Sequence, residues 1–393
     1  MTKLVASTPQ TGERRLFPQT IKRCLALALS GAISVLSADT WTDSSGNEWT
    51  YTINGDAATV SAVSFETTNL AIPSTLGGKD VTAFTANVFA GKIRAVRVTI
   101  PSTVTSIPGS AFENCTNLKA VTVQGEGLED IGNYAFRGCG NLAAFVMPNS
   151  VTSLGYGVFS GCSAMESVTL GDGVTSLPGP TLTTGVGYDS GQYRESGSGF
   201  VGYYTDGLFY NCTSLKTINW GKNIKTIGNV TFLNCSALEK AEIPDSVTSI
   251  GCHAFVGCSS LANVKIGNGV ATVGRAAFRD LVNLTKVTFG SKVNSIGNYA
   301  FSGCVNLQNF TLPATIQYIN YRAFAGCSKA LTAVTIPTNS DELETELGQG
   351  VFSGCSKLAT VTLGDTVKTL PSPTLLTTGV GYDSGQYRES GSG

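Results

Sequence analysis

Apolar and polar residues alternate in short blocks along this chain, as in AVTV (120–123), SVTL (167–170) and AVTI (333–336). Alternation with a period of two over four residues predicts a strand buried on one face only. Each block is followed by a Pro or Gly, then by a second apolar stretch of the VTSIG type, then by an Ala-Phe pair with a Cys three residues further on. The order of these signals is constant. Phenylalanines fall at 89, 112, 136, 159, 209, 232, 255, 278, 301, 324 and 352, separated by 23 or 24 residues except for steps of 50 after Phe159 and 28 after Phe324. One unit reads ALEKAEIPDSVTSIGCHAFVGCS (237–259) and another NLQNFTLPATIQYINYRAFAGCS (306–328).

A unit this short cannot cover its own apolar side chains, so the copies are expected to stack and share one continuous core. Stacked in register, the strands form a parallel sheet with rungs about 4.8 Å apart, and eleven rungs make a rod roughly 50 Å long. A Pro after the strand lacks an N–H and ends the pairing. The VTSIG stretch then runs back along a second side, and NYAF or RAAF is expected to turn the corner as a short helical or 3₁₀ piece. The repeated Phe should lie over its neighbour, with offset stacking added to simple burial. The predicted fold is therefore a β-rich repeat solenoid with a parallel sheet on one face.

These units resemble the leucine-rich repeats of the BspA-like type, whose unit looks like LxxVTIPxSVTSIGxxAFxxCxxL. The segment VTIPSTVTSIPGSAFENCTNLKAV (98–121) follows it nearly position by position, and the resemblance covers about residues 68–370. It implies a secreted or surface-exposed protein of a family associated with adhesion to host matrix proteins and to other cells. The motif is a packing motif and carries no catalytic residue with it.

Outside the repeats, basic Arg14, Arg15, Lys22 and Arg23 precede the apolar run CLALALSGAISVL (24–36), with Ser37 and Ala38 behind it. That is the layout of a secretory signal peptide over 1–38. Residues 39–67, with TWTDSSGNEWTYTING (40–55), read as a β-hairpin capping the first rung, with Trp41 and Trp49 as cap core. The solenoid is assigned to 68–376, with an insert at about 181–206 between TSLP and the next Phe. TTGVGYDSGQYRESGSG occurs at 183–199 and again at 377–393, so 377–393 is read as the front half of a second, truncated insert, the product of a duplicated block of units.

Composition narrows the function. The net charge is −1 and charged residues make up 13%, which argues against a basic field for nucleic acid or an anionic membrane. Nine of the eleven cysteines, 115, 139, 162, 212, 235, 258, 304, 327 and 355, occupy one repeat position, and Leu281 stands there in the unit of Phe278. A slot that accepts Leu is a packing slot, so a buried unbridged ladder is expected. A row of thiols also lacks the tetrahedral convergence zinc needs. Cys252 lies off the ladder and either pairs with Cys258 or stays a free thiol. The sequons at Asn114, Asn211 and Asn234 are part of the repeat and say little about glycosylation. The acidic stretch DELETELG (341–348) does not match an EF-hand spacing and reads as solvated.

His253 is the sole histidine, so any His-dependent triad or His-rich metal site would need it. It fills the slot of Tyr134, Tyr299 and Arg322 and reads as a solvent-facing surface substitution. No P-loop or dinucleotide-binding pattern is present, no cofactor is implied, and an enzyme is not expected; a glycosidase acting through paired carboxylates would need a pocket that the pattern does not build. The exposed strand positions run Thr99, Thr122, Val146, Thr169, Asn219, Glu242, Lys265, Thr288, Thr311, Thr335, Thr362. Such a flat face suits wide, shallow contact with a protein or glycan, and Glu242 beside Lys265 reads as a cross-strand ion pair. Tyr188, Tyr193, Arg194, Tyr203 and Tyr204 lie in a Gly/Ser background that resembles adaptable binding loops. With Asn219, Glu242 and Lys265 they form the candidate ligand-binding set of a secreted or cell-surface binding protein, whose partner is a host or neighbouring-cell surface protein, matrix protein or glycan. A passive, self-associating envelope element is the alternative.

Overall fold

The computed structural model describes residues 37–180 and 207–368. The expected signal peptide, apart from its last two residues, the insert at 181–206 and the terminal segment 377–393 lie outside them.

The described chain starts as an antiparallel meander. β1 (Asp39–Thr42) pairs with β2 (Glu48–Asn54), setting Trp41 opposite Trp49, and β2 pairs with β3 (Ala57–Ser64). The turn before β2 is organised by one carboxylate. Asp43 accepts the backbone N–H groups of Ser45 and Asn47 at 2.9 Å, the Asn47 amide at 2.8 Å and the Trp49 indole N–H at 3.1 Å. Partial burial pushes the Asp43 pKa up, but these bonds outweigh it and hold the carboxyl below its ordinary value. β4 (Asn69–Ala71) opens the row of first strands, while β3 runs parallel to β6 (Lys79–Phe84), whose other edge takes β5 (Thr75–Leu76) antiparallel. The cap is thus larger than a hairpin: it adds a third antiparallel strand and continues into the solenoid through β6.

From β4 onward the molecule is a solenoid. Twelve first strands, from Asn69–Ala71 to Thr360–Leu363, are described, and they pair in parallel in four sets of three. Two-residue second strands form a separate parallel ladder, seven of them from Ser176–Leu177 to Glu346–Leu347 in one sheet. Between the second strand and the Cys, the closing segment is an arc that contains no helix among the described residues, unlike the helical or 3₁₀ piece expected. The reason lies in the backbone. Two positions of the arc adopt left-handed φ in nearly every unit: the slot two residues before Phe, as at Tyr134 (59°), His253 (56°) and Arg322 (51°), and the residue before Cys, as at Asn114 (58°), Asn234 (63°) and Gly257 (75°). A right-handed helix cannot pass through either. The arcs bond to each other instead, Phe112 N–H to Ala135 C=O and Phe255 N–H to Ala277 C=O, both at 2.8 Å.

Inside, eleven phenylalanine rings from Phe89 to Phe352 stack with centroids 4.6 to 5.8 Å apart and planes within 20° of parallel. Beside them runs the cysteine column. Every described cysteine is unbridged, and the nine in the ladder are buried; Cys252 is a half-exposed free thiol and does not pair with Cys258. The ladder thiols also do something a hydrophobe could not: each donates to the carbonyl of the Phe one unit back, at 3.0 Å for Cys115 and Phe89 and 3.2 Å for Cys258 and Phe232. Leu281, fully buried, replaces one thiol. Burial pushes the Cys304 thiol up to about 12 and also raises those of Cys162, Cys212, Cys235 and Cys258, so the reactive thiolate is suppressed at these positions.

The glycine of the SIG triplet is fixed by the same closeness. A Cβ on Gly251 would lie 2.5 Å from the carbonyl carbon of Gly228 in the unit below, so no side chain fits. Register survives the insert as well. Ser167–Thr169 pairs directly with Thr217–Asn219, and Phe159 stacks on Phe209 at 5.5 Å and 2°.

Truncating Phe255 should lower stability by about 4 kcal/mol, because the ring is fully buried and loses neighbours at 5.1 and 4.9 Å. Denaturant unfolding of Phe255→Ala measures this. In the same variant a thiol reagent should label ladder cysteines under conditions where, among the described cysteines, the parent chain is labelled only at Cys252.

Candidate binding face

The outward side chains of the first strands form in-register rows. Ala71, Thr99 and Thr122 are aligned, then Val146, Thr169 and Asn219, then Glu242, Lys265 and Thr288, then Thr311, Thr335 and Thr362. The alternation places Val98, Val168 and Val264 of the same strands in the core, at 1 to 2% exposure. A flat row of β-branched hydroxyl side chains is what a pleated surface accommodates most easily.

Of the candidate ligand residues, Asn219, Glu242 and Lys265 lie on this face and are exposed; Tyr188, Tyr193, Arg194, Tyr203 and Tyr204 lie outside the described residues. Asn219 Nδ2 donates to Thr169 Oγ1 at 3.1 Å, which orients its amide along the row. Glu242 and Lys265 are neighbours in register, but the ion pairs of this region form elsewhere, at Glu166 and Lys216 (3.7 Å) and at Asp172 and Lys222 (2.7 Å). The expected ion pair is therefore a proximity only. Lys222 is drawn up and Asp172 down by their shared hydrogen bond; Lys222 is exposed and Asp172 half-buried.

Two shallow depressions mark the face. One, of about 390 Å³, is lined by Thr122, Glu126, Val146, Asn149 and Thr169 among others, where Val146 is 66% exposed. It lies where the first-strand ladder passes from one set of three to the next. The other, of about 420 Å³, is bounded by Glu239, Lys240, Ser260, Ala262, Asn263 and Asn283. Both are open hollows on a surface, suited to covering contact. Among the described residues no group of His, Cys, Asp and Glu is placed to hold a metal, and no helix is long and apolar enough to cross a membrane.

Charge is unevenly shared along the rod. Residues 37–180 carry twelve carboxylates and six cations, while 207–300 carry nine cations and four carboxylates. The near-zero total conceals this segregation of formal charge along the sequence.

On the arc, sequence reasoning missed two aromatic groups. Tyr134 and Tyr156 meet edge to face at 5.3 Å with the Arg137 guanidinium 5.0 Å from the Tyr134 ring; Tyr299 and Tyr321 repeat the arrangement at 5.3 Å with Arg322 5.3 Å from Tyr321. Their signal was Tyr recurring in adjacent arc slots. His253, read as a surface substitution, is instead 2% exposed. Burial, and then the nearby charges of Arg275 and Arg279, lower its pKa to about 4.

A family model described as a BspA type leucine rich repeat region matches residues 59–181, 202–304 and 273–378, in six copies. The chain belongs to the BspA-type leucine-rich repeat family. Among curated proteins none matches it. Solved structures of similar proteins include a leucine rich cell surface protein from Faecalibacterium prausnitzii, with 24% identity, TM-score 0.46 and coverage of 82% of this chain and 94% of that one. A leucine-rich repeat protein from Bacteroides ovatus has 22% identity and TM-score 0.41, covering 80% and 92%. The pneumococcal vaccine antigen PcpA has 18% identity and TM-score 0.42, covering 82% and 87%. BspA-type leucine-rich repeat proteins are typically non-enzymatic.

The buried histidine has a measurable consequence. Folding favours neutral His253, because its folded pKa of about 4 lies below the ordinary 6.5. Its contribution is therefore complete above pH 6.5 and is lost as pH falls towards 4, by about 3 kcal/mol in all. His253→Asn keeps a residue tolerant of left-handed φ. The difference in unfolding free energy between parent and variant should change by that amount between pH 7 and pH 4; a difference independent of pH refutes it.

Proposed function

We propose that this is a secreted or cell-surface adhesion protein without catalytic activity, which binds a protein or glycan of a host or neighbouring cell across its first-strand face. The observation that carries this reading is the row of outward Thr side chains, kept in register along the rod and interrupted at Val146 and at Asn219, Glu242 and Lys265. A surface of that shape gains affinity by area and by a few distinctive residues rather than by enclosing a small molecule. Secretion is supported by the basic and apolar layout of residues 14–38, and the Tyr-rich insert at 181–206 supplies a second contact region. Self-association is a second reading, favoured by the segregated charge: an acidic first third and a basic middle are complementary between two copies laid side by side.

The mature chain should bind immobilised matrix proteins or cells saturably. Lys265→Glu combined with Asn219→Asp should weaken that binding about fivefold or more while leaving the unfolding transition unchanged, and deleting 183–205 should weaken it as well. Absence of saturable binding across a panel of matrix proteins, glycans and cells overturns the reading. Sedimentation over a concentration series at low and high salt decides on self-association.

A further inference from the structure

Tyrosine enters the arc slots before the repeated Phe only in pairs. Counted back from that Phe, the second slot holds Tyr at 134 and 299 alone, and the third slot holds Tyr at 156 and 321 alone. In both cases the second-slot Tyr of one unit is followed by the third-slot Tyr of the next. Aligning the two insert copies, at 183–199 and 377–393, sets Tyr134 and Tyr156 against Arg322 and Gln349, so the second pair was not copied with that block.

The two pairs also share one geometry. The rings meet at 5.3 Å and 86° in both. Asn133 Oδ1 accepts the Tyr156 N–H at 3.0 Å, and Asn298 Oδ1 accepts the Tyr321 N–H at 3.1 Å. Tyr134 and Tyr299 have φ of 59° and 58°, in a slot that Gly157, Ala276 and Gly350 fill in other units. Large side chains held in sparsely populated backbone conformations cluster at ligand-binding positions. Each pair is a right-angled corner of two phenol rings with a guanidinium beside it, Arg137 at 5.0 Å from the Tyr134 ring and Arg322 at 5.3 Å from that of Tyr321. None of the four rings belongs to the core; Tyr156 is 39% exposed and the others are half-buried.

We propose that each Tyr pair is a subsite for a pyranose ring, and that the two together hold one neutral polysaccharide chain along the arc. A sugar ring has an apolar C–H face, which packs on the electron-rich face of a phenol, and a hydroxyl rim, which Tyr hydroxyls and guanidinium N–H groups can meet. The class of ligand follows from charge and repetition. Arg137 is paired with Glu113 at 3.7 Å, and Arg279, beside the Tyr299 ring, with Asp280 at 3.1 Å. Two of the three guanidiniums at the rings are therefore compensated and do not select an acidic chain. The subsites stand six units apart, with ring steps of 4.9 to 5.7 Å between them, a span of about 30 Å. A ligand that meets the same corner twice at that distance is itself repetitive and extended. The subsites lie on the arc and not on the first-strand face, so they do not rest on the function proposed above.

Affinity electrophoresis of the mature chain in gels containing dextran, mannan, galactan or soluble β-glucan tests this. At least one should retard the protein, and a trisaccharide of the same sugar, too short to span both corners, should compete at least about tenfold less well than the polymer. Tyr156→Asn and Tyr321→Asn, in a slot that already holds Asn at 133, 229 and 298, should each lower the affinity about tenfold or more in a chain that still folds. If one variant does not fold, the other alone must show the loss. Lys265→Glu with Asn219→Asp should leave the retardation unchanged, which separates these subsites from the sheet face. No retardation by any of these polymers, retardation only by an acidic one such as hyaluronan, or full retention in the folded Tyr variants overturns the proposal.

Discussion

No unit of this protein has an interior of its own. What it has is a neighbour about one strand spacing away, and every inward position is set by that distance. Rings 4.6 to 5.8 Å apart leave no room for a side chain much larger or smaller than Phe, and the approach of Gly251 to Gly228 leaves none at all. Backbone bonds between arcs and thiol bonds to Phe carbonyls use the same spacing. Because each inward contact recurs in nearly every unit, the apolar core is continuous from Trp49 in the cap to Leu358.

That uniformity is why so much of the architecture was legible from residues alone. A side chain whose partner is its own counterpart one unit away leaves a periodic trace, and Phe, Cys, the SIG glycine and the Thr row all did. What stayed hidden depends on backbone angle or on a departure from the repeat. Asn114, Asn211 and Asn234 look like sequons, yet they are left-handed residues where other units place Gly or Asp, and only comparing the slots across units could suggest it. The thiol donors look apolar because Leu281 replaces one of them without a partner to miss: the Phe255 carbonyl still accepts the Cys258 N–H at 3.2 Å. His253 misled because its slot is half-exposed in units that hold Tyr or Arg. Its burial depends on the particular residues of the adjoining unit, and periodicity carries no information about those.

The insert obeys the same constraint from the other side. Across the twenty-six residues 181–206 strand register and ring stacking continue undisturbed from one flanking unit to the next. The exit lies after the second strand, at the start of the arc, where the units touch through turns rather than a long strand ladder. Extra chain there costs mainly loop entropy, which grows slowly with length. The shorter expansion before Phe352 uses buried polar groups instead: Asn339 donates to the Ile316 carbonyl at 2.9 Å and Thr345 to the same carbonyl at 3.1 Å, so the longer loop is tied to the unit below.

Specificity in such a molecule has to come from the residues that break the pattern. Inward positions are committed to stacking, and a Thr row common to most units can distinguish one partner from another only by its length. Val146, Asn219, Glu242 and Lys265 on the sheet and the Tyr and Arg groups of the arc are departures that the spacing permits, and each lies outside the stacked column; the insert is a departure in sequence. Substitutions at these sites leave the shared interior intact, so recognition can change while the fold does not. An interior substitution is felt in three units at once, because the ring above and the ring below lose a face together.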